Sequence, residues 1–158
     1  MTTAEHDEHA GHGDRNLNHT AFSATVHCLT GCAIGEILGL ALGTAFGWSN
    51  GATIALSIAL AFFFGYSLTL LPLVRADLSL RQALPLAFAS DTLSIATMEI
   101  VDSLIVLAVP GAMDAGLGDL LFWGSLAGAL FVAFWAAFPV NRWLIARGKG
   151  HAVVHAYH

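Results

Sequence analysis

Charge is what this chain has least of. Only 11% of its 158 residues are Asp, Glu, Lys or Arg, against about 25% in a typical soluble domain. Hydrophobic residues make up 56%, and the mean hydropathy is +0.70. A soluble fold of this size could not hide that much apolar surface and still present a charged exterior. Basic residues are scarcest: six in all, with none between Arg15 and Arg75 and none between Arg81 and Arg142. Two such intervals in a short chain point to lipid as the solvent.

Cysteine is almost absent as well. Cys28 and Cys32 lie in one short segment, which excludes an extracellular disulfide framework. The polar, acidic stretch Met1 to Asn18 has neither the basic start nor the cleavage site of a signal peptide. No hydrolytic triad or nucleotide fingerprint occurs, and Gly148-Lys149-Gly150 is too short to cradle a phosphate. The few basic residues offer no nucleic-acid surface.

What is present is a set of four apolar stretches, each long enough to cross about 30 Å of hydrocarbon as a helix. They fall at 20–47, 51–73, 83–110 and 120–146. A flexible His- and acid-rich tail (1–19) precedes them and a His-containing tail (147–158) follows. Trp48-Ser49-Asn50-Gly51 predicts a tight interfacial turn. Pro72 is expected to end the second helix and Pro85 to sit in the first turn of the third. Pro110-Gly111 closes the third helix, and Pro139 is expected to kink the fourth. Trp123 and Trp143 stand near its two ends as interfacial anchors.

The expected fold is therefore all-α, a four-transmembrane-helix bundle. With four spans, both termini and the 74–82 loop share one side, and that side holds every Lys and Arg. The positive-inside rule makes it the cytoplasm, with the chain in a plasma membrane.

The first helix carries a glycine at every fourth position from Gly31 to Gly47. Such a groove lets another helix approach closely. It serves either packing within the chain or a homo-oligomer interface, and a homo-oligomer joined through this helix is expected.

Beside the groove, Cys28, Cys32 and Glu36 share one helical face, with His27 on the adjoining glycine edge. In the third helix Asp91, Met98 and Asp102 share a narrow face flanked by Ser94 and Glu99. The two helices run parallel. Counted from their midpoints, Cys28 is level with Asp91, Cys32 and Glu36 bracket Met98 and Glu99, and Asp102 lies further out. If the faces meet, a polar track crosses much of the membrane.

Thiol, imidazole, thioether and carboxylate are transition-metal ligand types. The soft sulfurs suit copper, while the nitrogen and oxygen donors suit zinc or iron. Glu36, Asp91, Glu99 and Asp102 have no Lys or Arg within the spans to pair with. In lipid they must hold a proton or be neutralised by a bound cation. The candidate metal ligands are thus His27, Cys28, Cys32, Glu36, Asp91, Met98, Glu99 and Asp102. His6, His9, His12, His151, His155 and His158 in the tails could collect metal.

The segment His27-Cys28-x-x-Gly31-Cys32-x-x-Gly35-Glu36 resembles a bacterial family of four-helix membrane proteins known only as a domain of unknown function. The similarity continues through Ser90-Asp91, Met98-Glu99-x-x-Asp102 and Pro139-Val-Asn141-Arg142-Trp143 into Gly150-His151. The resemblance implies a membrane protein of this topology and no particular activity.

The expected function is binding and movement of a transition-metal cation through the intramembrane site. Three alternatives stand beside it. The acids could form a proton or cation channel, the cysteines could serve a quinone-linked thiol redox enzyme, or the chain could be a structural subunit. The i, i+4 cysteine spacing, unlike Cys-x-x-Cys, counts against the enzyme.

Overall fold

The computed structural model describes the backbone of residues 4–75 and 79–147, and the side chains of these except 4–14, 72, 73, 82, 83, 86 and 90. The described residues form four helices: α1 (Ala4–Phe46), α2 (Asn50–Arg75), α3 (Leu80–Ala108) and α4 (Leu120–Ala146). No strand occurs among the described residues.

The helix bounds differ from the expected ones by one to three residues, except for α4 and for the start of α1. α1 begins at Ala4, not near residue 20, and runs for 43 residues. At 1.5 Å per residue that is about 64 Å, twice the hydrocarbon thickness. Once the apolar part has nucleated the helix, adding further turns costs little, so the segment expected as a tail continues it. α2 passes Pro72 and ends at Arg75. α3 begins at Leu80, which places Pro85 in its second turn. α4 matches the expected range residue for residue, and Pro139 lies inside it without ending it.

Among the described residues, three segments are long and apolar enough to cross a membrane: Arg15–Phe46, Asn50–Leu71 and Leu120–Ala146. α3 has the length, with 29 residues, but Asp91, Glu99 and Asp102 interrupt its apolar part.

Each helix packs beside its sequence neighbours, and α4 closes the ring against α1. The tightest seam joins α1 to α2. A Cβ placed on Gly31 would come within 2.6 Å of Gly65 Cα. Those on Gly35, Gly39 and Gly43 would collide with Ala61, Ser57 and Thr53 respectively. As one helix steps up by four residues, the other steps down by four, which is the register of an antiparallel hairpin. The next rung is His27, whose Nε2 lies 3.3 Å from Thr69 Oγ1. The glycine stripe is thus filled by α2 of the same chain. The homo-oligomer expected through this groove loses its place there, because no second helix fits where α2 already touches backbone.

Gly47 differs from the stripe. It ends α1 with φ +64°, the left-handed geometry that glycine adopts without strain, and Trp48 N–H donates to Gly43 O at 2.9 Å. The α1–α2 turn is therefore as short as the sequence suggests.

Small and polar residues fill the inside, while large apolar ones face out. Cys28, Cys32, Ala61, Ile95, Met98, Ala133 and Ala137 form the core cluster. Phe22, Phe63, Ile100, Leu104, Phe131 and Trp135 are among the exposed side chains. A water-soluble bundle would invert this arrangement, whereas lipid-embedded helices pack through small residues. Outward hydroxyls fold back on their own helices: Thr30 Oγ1 donates to Val26 O at 2.8 Å and Thr97 Oγ1 to Leu93 O at 2.8 Å. That is how a hydroxyl is satisfied where no water is available.

Near the C-terminal end of α4 a buried amide ties it to α1. Asn141 Nδ2 donates to Thr25 Oγ1 at 2.9 Å, and Thr25 Oγ1 donates to Ala21 O at 2.7 Å. Arg142 Nε adds a bond of 2.7 Å to Asn18 Oδ1. Interhelical hydrogen bonds in membranes average about 0.6 kcal/mol and reach about 1.7. Asn141→Ala is therefore expected to lower bundle stability by about 1 kcal/mol, read as a modest fall in melting temperature in detergent. An unchanged melting temperature would show that Asn141 does not clamp the helices.

Candidate functional site

The centre of the bundle is where α1 meets α3. Both faces read from the sequence point inward, and they meet within one chain. Cys28, Cys32, Glu36, Asp91, Met98, Glu99 and Asp102 are all at most 5% exposed. They stack in three layers.

In the inner layer, Cys28 Sγ donates toward Asp91 Oδ1 at 3.9 Å, and Ser94 is buried beside the same thiol. In the middle layer, Cys32 Sγ is 3.9 Å from Met98 Sδ, with the Glu99 carboxyl beside it. In the outer layer, the Glu36 carboxyl faces that of Asp102, with Glu99 near both. Asp102, expected further out than the other ligands, shares the layer of Glu36.

The outer layer is chemically incomplete. Glu36 Oε2, Glu99 Oε1 and both Asp102 oxygens are buried without a hydrogen-bond partner among the described residues. Carboxylates accept and cannot donate, so two of them in contact need a proton or a cation between them. Burial makes an unneutralised charge there very costly. A cavity of about 10 Å³ sits against this layer, between Glu36, Ser57, Glu99 and Ser103. That is close to the space one water molecule requires.

The expected ligands divide into two groups. Seven gather on the α1–α3 axis. His27 instead occupies the α1–α2 seam against Thr69, because it continues the four-residue register of the glycines. Among the described residues, no group of three or more His, Cys, Asp or Glu side chains is arranged as a ready metal cage. What the track offers is a succession of two- and three-residue layers. Cys28 and Cys32 are both free thiols, each turned toward a different α3 partner. The side chains of His6, His9 and His12, and all of His151, His155 and His158, lie outside the described residues.

Two polar features have no role in the sequence analysis. Ser57 is 4% exposed, lines the cavity, and has a partnerless hydroxyl among the described residues. Its signal was available: Thr53, Ser57, Ala61, Gly65 and Thr69 repeat small residues at every fourth position, complementing the glycines. Thr25 with Asn141 is the other, and a hydroxyl–amide pair 116 residues apart leaves no local pattern.

Fold and site together define a helical bundle with helices long and apolar enough to cross a membrane and with a set of acids and thiols gathered inside it. The chain belongs to the family described as domain of unknown function DUF4396, whose model matches residues 17–150. No curated protein and no solved structure matched it.

Proposed function

We propose that this protein binds a transition-metal cation and conducts it along the α1–α3 track of a four-span bundle. The observation that carries the reading is the outer layer: three buried carboxyl groups close enough to influence one another, with orphaned oxygens, beside a cavity of one-water size. A cation supplies what those oxygens lack. The sulfur layer of Cys32 and Met98 directly inward favours a soft or borderline metal such as copper, zinc or iron over calcium or magnesium. Spreading the ligands over successive layers suits passage, because an ion in a closed cage would not leave.

In this reading α3 is the fourth span, tolerated in lipid because its acids face the bundle interior. The basic residues at one end put both termini on the cytoplasmic side of a bacterial inner membrane. The path lies within one chain and needs no second copy.

A second reading rests on the absence of a ready cage among the described residues. The carboxylates alone would then pass protons or simple cations, with the cysteines incidental. Purified protein in liposomes separates the two. Wild-type protein is expected to pass copper(I), zinc or iron(II) to an internal metal-sensitive dye, and Cys28→Ser/Cys32→Ser to reduce the flux at least tenfold. Flux of protons that survives the double substitution, with no metal flux in wild type, would select the second reading.

A further inference from the structure

Sulfur is scarce in this chain and confined to one place. Of its two cysteines and three methionines, all but Met1 lie on the α1–α3 axis or beside its outer layer. Cys28, Cys32 and Met98 are each 1% exposed, and Met113 lines the small cavity with Glu36 and Glu99. The large exposed apolar side chains among the described residues are Leu, Ile, Val, Phe and Trp, with no Met. Methionine used only as an apolar filler has no reason to avoid those outer positions. In the middle layer the two sulfurs, Cys32 Sγ and Met98 Sδ, stand 3.9 Å apart. With metal–sulfur bonds of about 2.3 Å, two sulfurs on opposite sides of one ion would be about 4.6 Å apart. The shorter separation fits a pair bent around an ion, with room for a third donor. The Glu99 carboxyl lies beside Cys32, and its Oε1 is buried with no hydrogen-bond partner among the described residues.

We infer that the middle layer is a three-coordinate site for copper(I), built from the Cys32 thiolate, the Met98 thioether and a Glu99 oxygen. The inference rests on the proposed metal path and narrows its cargo to one ion. Three observations select copper(I) over zinc and iron. Zinc takes thiolate, imidazole and carboxylate, four donors at a time, whereas a thioether is a soft donor suited to copper(I). The imidazole that would suit zinc or iron is turned away, since His27 Nε2 lies 3.3 Å from Thr69 Oγ1 in the α1–α2 seam. Among the described residues, no three His, Cys, Asp or Glu side chains form a ready cage, so the layer reaches three donors only by counting Met98. Beyond it, Met113 at the cavity offers the next soft donor past the acids.

Competition between copper(I), zinc(II) and iron(II) for full-length protein in detergent, without oxygen, tests it. In wild type, copper(I) should hold its place against a roughly tenfold excess of either divalent ion. Silver(I), which shares the soft chemistry of copper(I), should displace it. Met98→Leu keeps the side-chain volume and removes the sulfur. It should weaken copper(I) binding at least tenfold, while zinc(II) binding and the melting temperature of the metal-free protein stay as in wild type. Displacement of copper(I) by equimolar zinc(II) or iron(II) would overturn the inference, as would undiminished copper(I) binding by Met98→Leu. Either result would leave standing a metal path with another cargo. Protein that binds none of the three ions would remove the metal path itself, and this inference with it. The competition uses wild-type protein, so it decides even if the variant fails to fold.

Discussion

Gly35→Leu should prevent the chain from accumulating as a folded bundle, whereas Gly128→Leu should be tolerated. At Gly35 any Cβ runs into the backbone of Leu60 and Ala61, and backbone cannot swing aside as a side chain can. α1 and α2 would have to separate along the seam that also holds Gly31, Gly39 and Gly43. Overpacking alone costs about 1–3 kcal/mol, and parting a whole helix pair costs more, against a total stability of order 5–15 kcal/mol. At Gly128 nothing stands within 4 Å of an added Cβ, so a leucine simply joins the outer apolar surface. Yield of monodisperse protein in detergent, and its melting temperature, report the difference. Equal yields would mean that the α1–α2 seam is not packed through glycine.

Glu36→Gln should move function and stability in opposite directions. An amide can donate a hydrogen bond to Asp102 where a carboxylate cannot, and it removes one of three acids confined together. Metal-free protein should therefore melt higher than wild type. The same change deletes a charged ligand, so cation affinity should fall at least tenfold. Groups kept for function at the expense of stability behave this way. Melting curves with and without added metal read both effects. A variant that is both less stable and fully competent for metal would show that Glu36 is a structural side chain.

How far these residues could be read without a structure depended on whether their pattern was local. Cys28, Cys32 and Glu36 recur at every fourth position, and Asp91, Met98 and Asp102 share one α3 face, so each half of the track was legible. Their meeting within one chain was not, because helical periodicity fixes a face and not its partner. The same gap explains the glycines. The stripe announced a close helix contact, but only the matching four-residue stripe from Thr53 to Thr69 identifies α2 as the helix in it. His27 was read as lying on the glycine edge, and that edge is where it is. Grouping it with the thiols followed ligand chemistry over position. The polarity of residues 4–19 suggests a tail, whereas helical backbone runs from Ala4, since polar residues extend an existing helix readily.

Metal content measured on detergent-purified protein tests the central claim most directly. Wild type and Cys28→Ser/Cys32→Ser should be compared with the histidine-bearing ends intact in both, so that only the buried track differs. Elemental analysis should find stoichiometric copper, zinc or iron in the wild type and at least tenfold less in the double variant. Equal metal in both, or none in either, would contradict a metal site within the bundle.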